Sequence, residues 1–248
     1  SRGLGDVYKR QIDALMQASP LADYYKIAPI EDVPVCLRKS FTNILLVKKQ
    51  EQTRLSTGDT LFTVEGWKSN PKSRLYEMEK TAEALNEDMV YHISIYGSDT
   101  YKTAQQALQK PIAILREKAL GRSGQITLAD NKNRPRDVSA EETLRIYEEF
   151  LSDVAKSPCF FANILLYANQ KSSAHFLMDA VCGEAIKEGT CEIQEIPSTA
   201  TPLELQEVNQ PYCNLLPPSL AFWPTAYTLD ELSSFFRLPI PVSYTHLT

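Results

Sequence analysis

The chain has 248 residues, of which 43% are hydrophobic and 23% charged, and 26 Lys and Arg face 31 Asp and Glu for a net charge of −5. That acidic balance lacks the clustered basic face of a nucleic-acid binder, and the length suits one large domain or two small ones with a full core. No apolar stretch approaches the ~20 residues of a membrane-crossing helix.

Both ends read as translated sequencing adapter. Ser1–Gln11 (SRGLGDVYKRQ) is what a transposon-adapter end encodes, and Val242–Thr248 (VSYTHLT) is encoded by its reverse complement. Both are set aside before fold reasoning. They hold three of the 26 basic and one of the 31 acidic residues, so the net charge of the remainder is −7. The expectation is a piece of a longer protein.

Residues 12–67 read as a β-rich region. Phe41–Val47 and Thr60–Val64 are predicted strands, the second following the turn signal Ser56-Thr-Gly-Asp59. Pro20, Pro29 and Pro34 discourage helix between them. From 68 to 196 helices and strands alternate. Leu75, Met78, Ala82 and Leu85 recur at helical spacing, and Met89, Tyr91, Ile93 and Ile95 alternate with His92 and Ser94 as in a half-buried strand. A helix follows on the stripe Tyr101, Ala104, Leu108, Ile112, Leu115, Ala119, where Pro111 predicts a kink or two shorter helices.

Gly121–Val138 is a polar break. Ser139 and Glu142 then have capping-box spacing ahead of the stripe Leu144, Tyr147, Leu151, Val154. Phe160–Tyr167 is apolar enough for a strand covered on both faces, a helix follows with Ala174, Leu177, Met178, Val181 and Ala185 inward, and Cys191–Ile196 closes as a strand. Setting Tyr96 on Tyr167 superposes two helix–strand–helix units. The predicted class is α+β, a two-layer α/β sandwich of split βαβ type built from two similar α/β units. Residues 197–227, rich in proline, read as an extended connector. Residues 228–241 carry a short helix with the capping box Thr228/Glu231 and the stop Pro239.

Chemistry-bearing motifs are sparse: there is no P-loop, G-x-G-x-x-G, H-E-x-x-H, G-x-S-x-G or acidic calcium loop. Gly121-Arg-Ser-Gly124 is followed by no helix-starting Gly-Lys. The five cysteines, Cys36, Cys159, Cys182, Cys191 and Cys213, lack zinc-site spacing and read as free thiols in a reducing compartment. His92 reads as a structural imidazole and His175 as a surface helix residue. The acidic cluster Glu141, Glu142, Glu148 and Glu149 could suggest paired carboxylates, but Glu141, Glu148 and Glu149 lie away from the apolar stripe, and a solvated face explains them better. Tyr24-Tyr25 and Phe160-Phe161 have no interleaved base to make them a nucleobase platform and read as core or interface. No residue is assigned a catalytic, cofactor-binding or metal-binding role.

The segment Thr228-Leu-Asp-Glu-Leu-Ser-Ser-Phe-Phe-Arg-Leu-Pro239 resembles the stretch before the motor core in HerA/FtsK-superfamily ATPases, including those of conjugation and type IV secretion. In that family a T-x-x-E-L-x-x-hydrophobic-x-x-L-P helix follows an α/β region and precedes the P-loop. The resemblance implies the N-terminal docking or regulatory region of a hexameric DNA- or protein-translocating ATPase, itself without a catalytic motif. ATP and magnesium belong to the downstream motor. Implied partners are further copies of the parent ATPase, other translocation-machinery proteins and DNA at the motor, in the cytoplasm or peripheral at the inner membrane. The rival expectation is a self-contained protein-interaction module of a mobile-element or phage assembly. A third is a small-molecule enzyme with a site around His92, His175 and the cysteines.

Overall fold

The computed structural model describes residues 11–28, 41–56, 59–97, 100–120, 136–196 and 223–238. The turn at 57–58, the polar break at 121–135, the connector at 197–222, Cys36, Cys213, Pro239 and nearly all of both adapter-like ends lie outside them.

The first described element is a helix, α1 (11–17), followed by a 3-10 turn at Pro20–Asp23. Strands and loops were expected there, but Asp13-Ala-Leu-Met-Gln17 is mostly strong helix formers. β1 (Asn43–Lys49) and the hairpin β2 (Glu51–Ser56) and β3 (Asp59–Val64) follow, so the two expected strands are present with an additional one between them. After the two-residue β4 (Lys68–Ser69) come α2 (Tyr76–Leu85), β5 (Met89–Gly97), α3 (Thr100–Ala119), α4 (Val138–Lys156), β6 (Cys159–Ala168) and α5 (Lys171–Ala185). The chain continues through β7 (Ile186–Glu188) and β8 (Cys191–Ile196) to β9 (Ala226–Thr228) and α6 (Leu229–Ser233), with a closing 3-10 turn at Ser234–Phe236.

The main sheet runs β5-β6-β1-β8, and every neighbouring pair is antiparallel. β1–α2–β5 and β6–α5–β8 are interleaved so that each unit's two strands flank a strand of the other, which is the split β–α–β order of ferredoxin-like folds. The protein is therefore α+β. In topology the corresponding units are strand–helix–strand, with β1 matching β6. Setting Tyr96 on Tyr167 aligned an edge strand with a central one, and in the ladder Tyr96 lies opposite Phe161. β1, from the β-rich region, sits between β6 and β8, so residues 43–49 share a core with 68–196.

Strand alternation sends side chains to two faces. Leu45 and Val47 of β1 with Ala162, Ile164, Leu166 and Ala168 of β6 meet the inward stripe of α5, and α2 packs beside α5 on the same face. On the other face Phe161 packs with the α3–α4 pair, through Leu108, Ile112, Leu115, Tyr147 and Val154, and with Trp223. β6 is buried along nearly its whole length, as its apolar run predicts.

Two details of α3 and α4 bear on the expectations: of the kink and the two shorter helices expected at Pro111, the second is excluded, and the cap of α4 lies elsewhere. α3 is one helix with Pro111 inside it, because Leu108, Ile112 and Leu115 on both sides of the proline are held in one core, which offsets the lost backbone donor. The N-cap of α4 is Asp137, whose side chain accepts from the Ala140 backbone N–H, two residues before the expected Ser139. Ser139 lies within the first turn, and Glu142 is turned outward to an ion pair with Arg54 of β2.

Candidate functional site

β1 ends in a lysine on its buried face. Leu45, Val47 and Lys49 alternate onto the side that faces α5, and Lys49 is only 2% exposed. An ammonium in that position needs a counter-charge. Glu231 of α6 supplies it across 182 positions of sequence: Lys49 Nζ donates to Glu231 Oε1 at 3.0 Å and to Oε2 at 3.1 Å, and stands 5.1 Å from the centre of the Tyr227 ring.

Glu231 is occupied on every side. Oε1 also accepts from the Trp67 backbone N–H at 2.8 Å, and Oε2 accepts from Thr228 N at 2.7 Å and Thr228 Oγ1 at 3.2 Å. The last contacts, with Glu231 N donating to Thr228 Oγ1 at 3.3 Å, form the capping box that the spacing predicts. One carboxylate thus starts α6 and fastens it to β1 and to the strand-to-strand link at Trp67. A buried pair with its remaining lone pairs satisfied is the geometry in which attraction can repay desolvation.

An aromatic cluster closes over it. The Trp67 ring lies 5.2 Å from Tyr227 and 5.3 Å from Phe235, and Trp67 Nε1 donates to Thr190 O at 2.8 Å. Two glycines make room. Gly189 has φ +112°, and a Cβ there would stand 3.0 Å from Trp67 Cδ1; at Gly66 it would stand 3.3 Å from Glu231 Oε1. β9 precedes α6 and pairs with Cys159–Phe161 of β6, so the last residues of the expected connector form a strand.

Beside the pair opens a cleft of about 390 Å³ between the β2–β3 hairpin, α4 and Trp223, with Lys49 and Glu231 on its wall. Its other charged groups are Arg54, Glu65, Arg145, Glu149 and Asp153. Arg145 pairs with Glu149 at 2.7 Å along α4, and Arg54 pairs with Glu142, so the arginines are already matched. With each member of the buried pair matched to the other, this arrangement anchors a helix.

The remaining sequence candidates are dispersed. His92 lies on the α3–α4 side of β5 against Tyr167, and burial holds its imidazole below the ordinary value; its Nδ1 is buried without a hydrogen-bond partner among the described residues. His175 lies on α5, across the sheet, bonded to Glu195 at 3.0 Å. Lys171 and then His175 keep Glu195 below the usual carboxylate range. Glu148 pairs with Arg116, Glu141 is exposed, Tyr24 is exposed and Phe161 is core. Among the described residues no group of three His, Cys, Asp or Glu could hold a metal, and no helix is long and apolar enough to cross a membrane.

Sequence reasoning found Glu231 as a cap and missed Lys49 and Trp67 as its partners. The available signal was Lys49 continuing the inward alternation of Leu45 and Val47. No protein-family model, curated protein or solved structure matches the chain.

Proposed function

We propose that this chain is the N-terminal docking and regulatory region of a hexameric DNA- or protein-translocating ATPase of HerA/FtsK type. The observation that carries it is the segment Thr228-x-x-Glu231-Leu232-x-x-Phe235-x-x-Leu238-Pro239, standing after an α+β domain in the order the family uses ahead of its motor. Its capping box, formed as the motif requires, supports the reading. In this role the domain binds other translocation-machinery proteins, while nucleotide, magnesium and DNA belong to the motor. A helix fastened through Glu231 would give that motor a fixed point of departure.

Sequencing the locus past codon 240 tests the reading. A strand followed by G-x-x-x-x-G-K-[ST] is expected, and purified residues 12–240 should hydrolyse no ATP. A stop codon directly after Ile240 overturns it. One observation favours the self-contained interaction module instead: Leu232 and Phe235 are part of the main core and not a detached arm. That reading expects the stop codon.

A further inference from the structure

Two thiols meet beneath α5. Cys182 lies in its last turns on the inward stripe with Met178, Val181 and Ala185, and is buried in the main core. Cys191 is the first residue of β8, and its register opposite Lys49 puts it on the sheet face that α5 covers, packed against the same cluster. The chain returns from one to the other through β7 and the Gly189 turn, and each thiol is the largest influence on the other's acidity. Both are free thiols, and Cys191 is half-buried where Cys182 is closed off.

We propose that Cys182 and Cys191 are a peroxide-reactive dithiol that closes to a disulfide, with Cys191 the attacking sulfur and Cys182 the resolving one. Packing assigns the roles, since only Cys191 reaches the surface, and electrostatics agree. The neighbouring Cys182 draws the Cys191 thiol below its ordinary value, which favours the thiolate. Cys191 itself and burial push the Cys182 thiol up. Asp179, on the same helix, raises both thiols and limits the effect. Cys159 is pushed up to about 11 by burial, which makes it the unreactive internal control.

The chemistry balances in two steps. Cys191 Sγ⁻ attacks one oxygen of a hydroperoxide, the O–O bond breaks, and the leaving oxygen takes a proton to depart as water or alcohol, which leaves Cys191–SOH. Cys182 Sγ then attacks that sulfur and gives up its proton, the S–O bond breaks and water leaves, so two thiols are oxidised while one peroxide is reduced.

The test uses the full chain, treated with equimolar hydrogen peroxide, alkylated under native conditions and digested with trypsin. Because Lys187 lies between the cysteines, the disulfide joins two tryptic peptides, and the intact mass falls by two hydrogens. In Cys182→Ser, dimedone should label Cys191 after peroxide. In Cys191→Ser, Cys182 should remain unlabelled. Alkylation of both thiols after peroxide, no dimedone adduct in Cys182→Ser, or a disulfide from Cys191 to Cys36, Cys159 or Cys213 would each overturn the proposal. It stands independently of the ATPase reading.

Discussion

Removing Glu231 should cost more than removing Lys49, although they are one ion pair. Glu231→Ala leaves a 2%-exposed ammonium beside the Tyr227 ring without its carboxylate, and stranding one partner of a buried pair costs about 3–5 kcal/mol. The same change opens the α6 cap, worth about 1 kcal/mol, and leaves the Trp67 N–H without its acceptor. These losses share one site and do not simply add. Lys49→Met leaves the carboxylate with three donors, Trp67 N, Thr228 N and Thr228 Oγ1, so about 2 kcal/mol is expected. Against a typical stability of about 5–15 kcal/mol, Glu231→Ala removes a large share and Lys49→Met a modest one. Urea unfolding followed by far-UV circular dichroism reads both as midpoint shifts at constant slope. The reasoning fails if Lys49→Met costs as much as Glu231→Ala, or if both cost under about 1 kcal/mol.

Asp137→Ala should destabilise by about 1 kcal/mol and Ser139→Ala by a few tenths, because Asp137 is the N-cap of α4; equal effects in the same urea assay would move the cap back to Ser139. Gly189→Ala, which must adopt φ +112° against the Trp67 ring, should cost more than about 1 kcal/mol, whereas Gly183→Ala, inside α5 with nothing within 4 Å of its Cβ, should stabilise by about 0.5–1 kcal/mol; the two thermal midpoints must move in opposite directions. Burial lowers the His92 value in the folded state, so the unfolded chain takes up that proton first: stability is full above the unfolded value of about 6.5 and falls as the pH drops below it. His92→Gln should shrink the drop in urea midpoint between about pH 7.5 and 5.5, and an unchanged drop would remove His92 from the account.

How far residues announce their role depends on the range of the forces that place them. Phe160–Tyr167 reads as a doubly covered strand because its apolar run needs no partner identified to demand burial, and β6 is the centre of the sheet. Thr228 and Glu231 read as a cap because three residues of spacing settle the geometry. Lys49 is different: the Lys48-Lys49 pair after four aliphatic residues reads as a strand end, and an acid 182 residues away makes Lys49 interior. β4, β7 and β9 have two or three residues each and owe their conformation to the strand beside them, so no local pattern marks them. Cys182 and Cys191 look unrelated by spacing until the Gly189 turn folds β8 under α5.

β6 has two edges. β5 takes one along nearly its full length, while β1 takes residues 164–168 and β9 residues 159–161 of the other. The last described segment, residues 226–238, is thus joined through β9 to the central strand, end to end with the strand from the opposite half of the chain. Mechanically, tension applied at Leu238 passes through the short β9 ladder and the Lys49–Glu231 bond before it reaches the sheet. The domain would fail there first, by release of residues 226–236, while β5, β6, β1 and β8 remain joined.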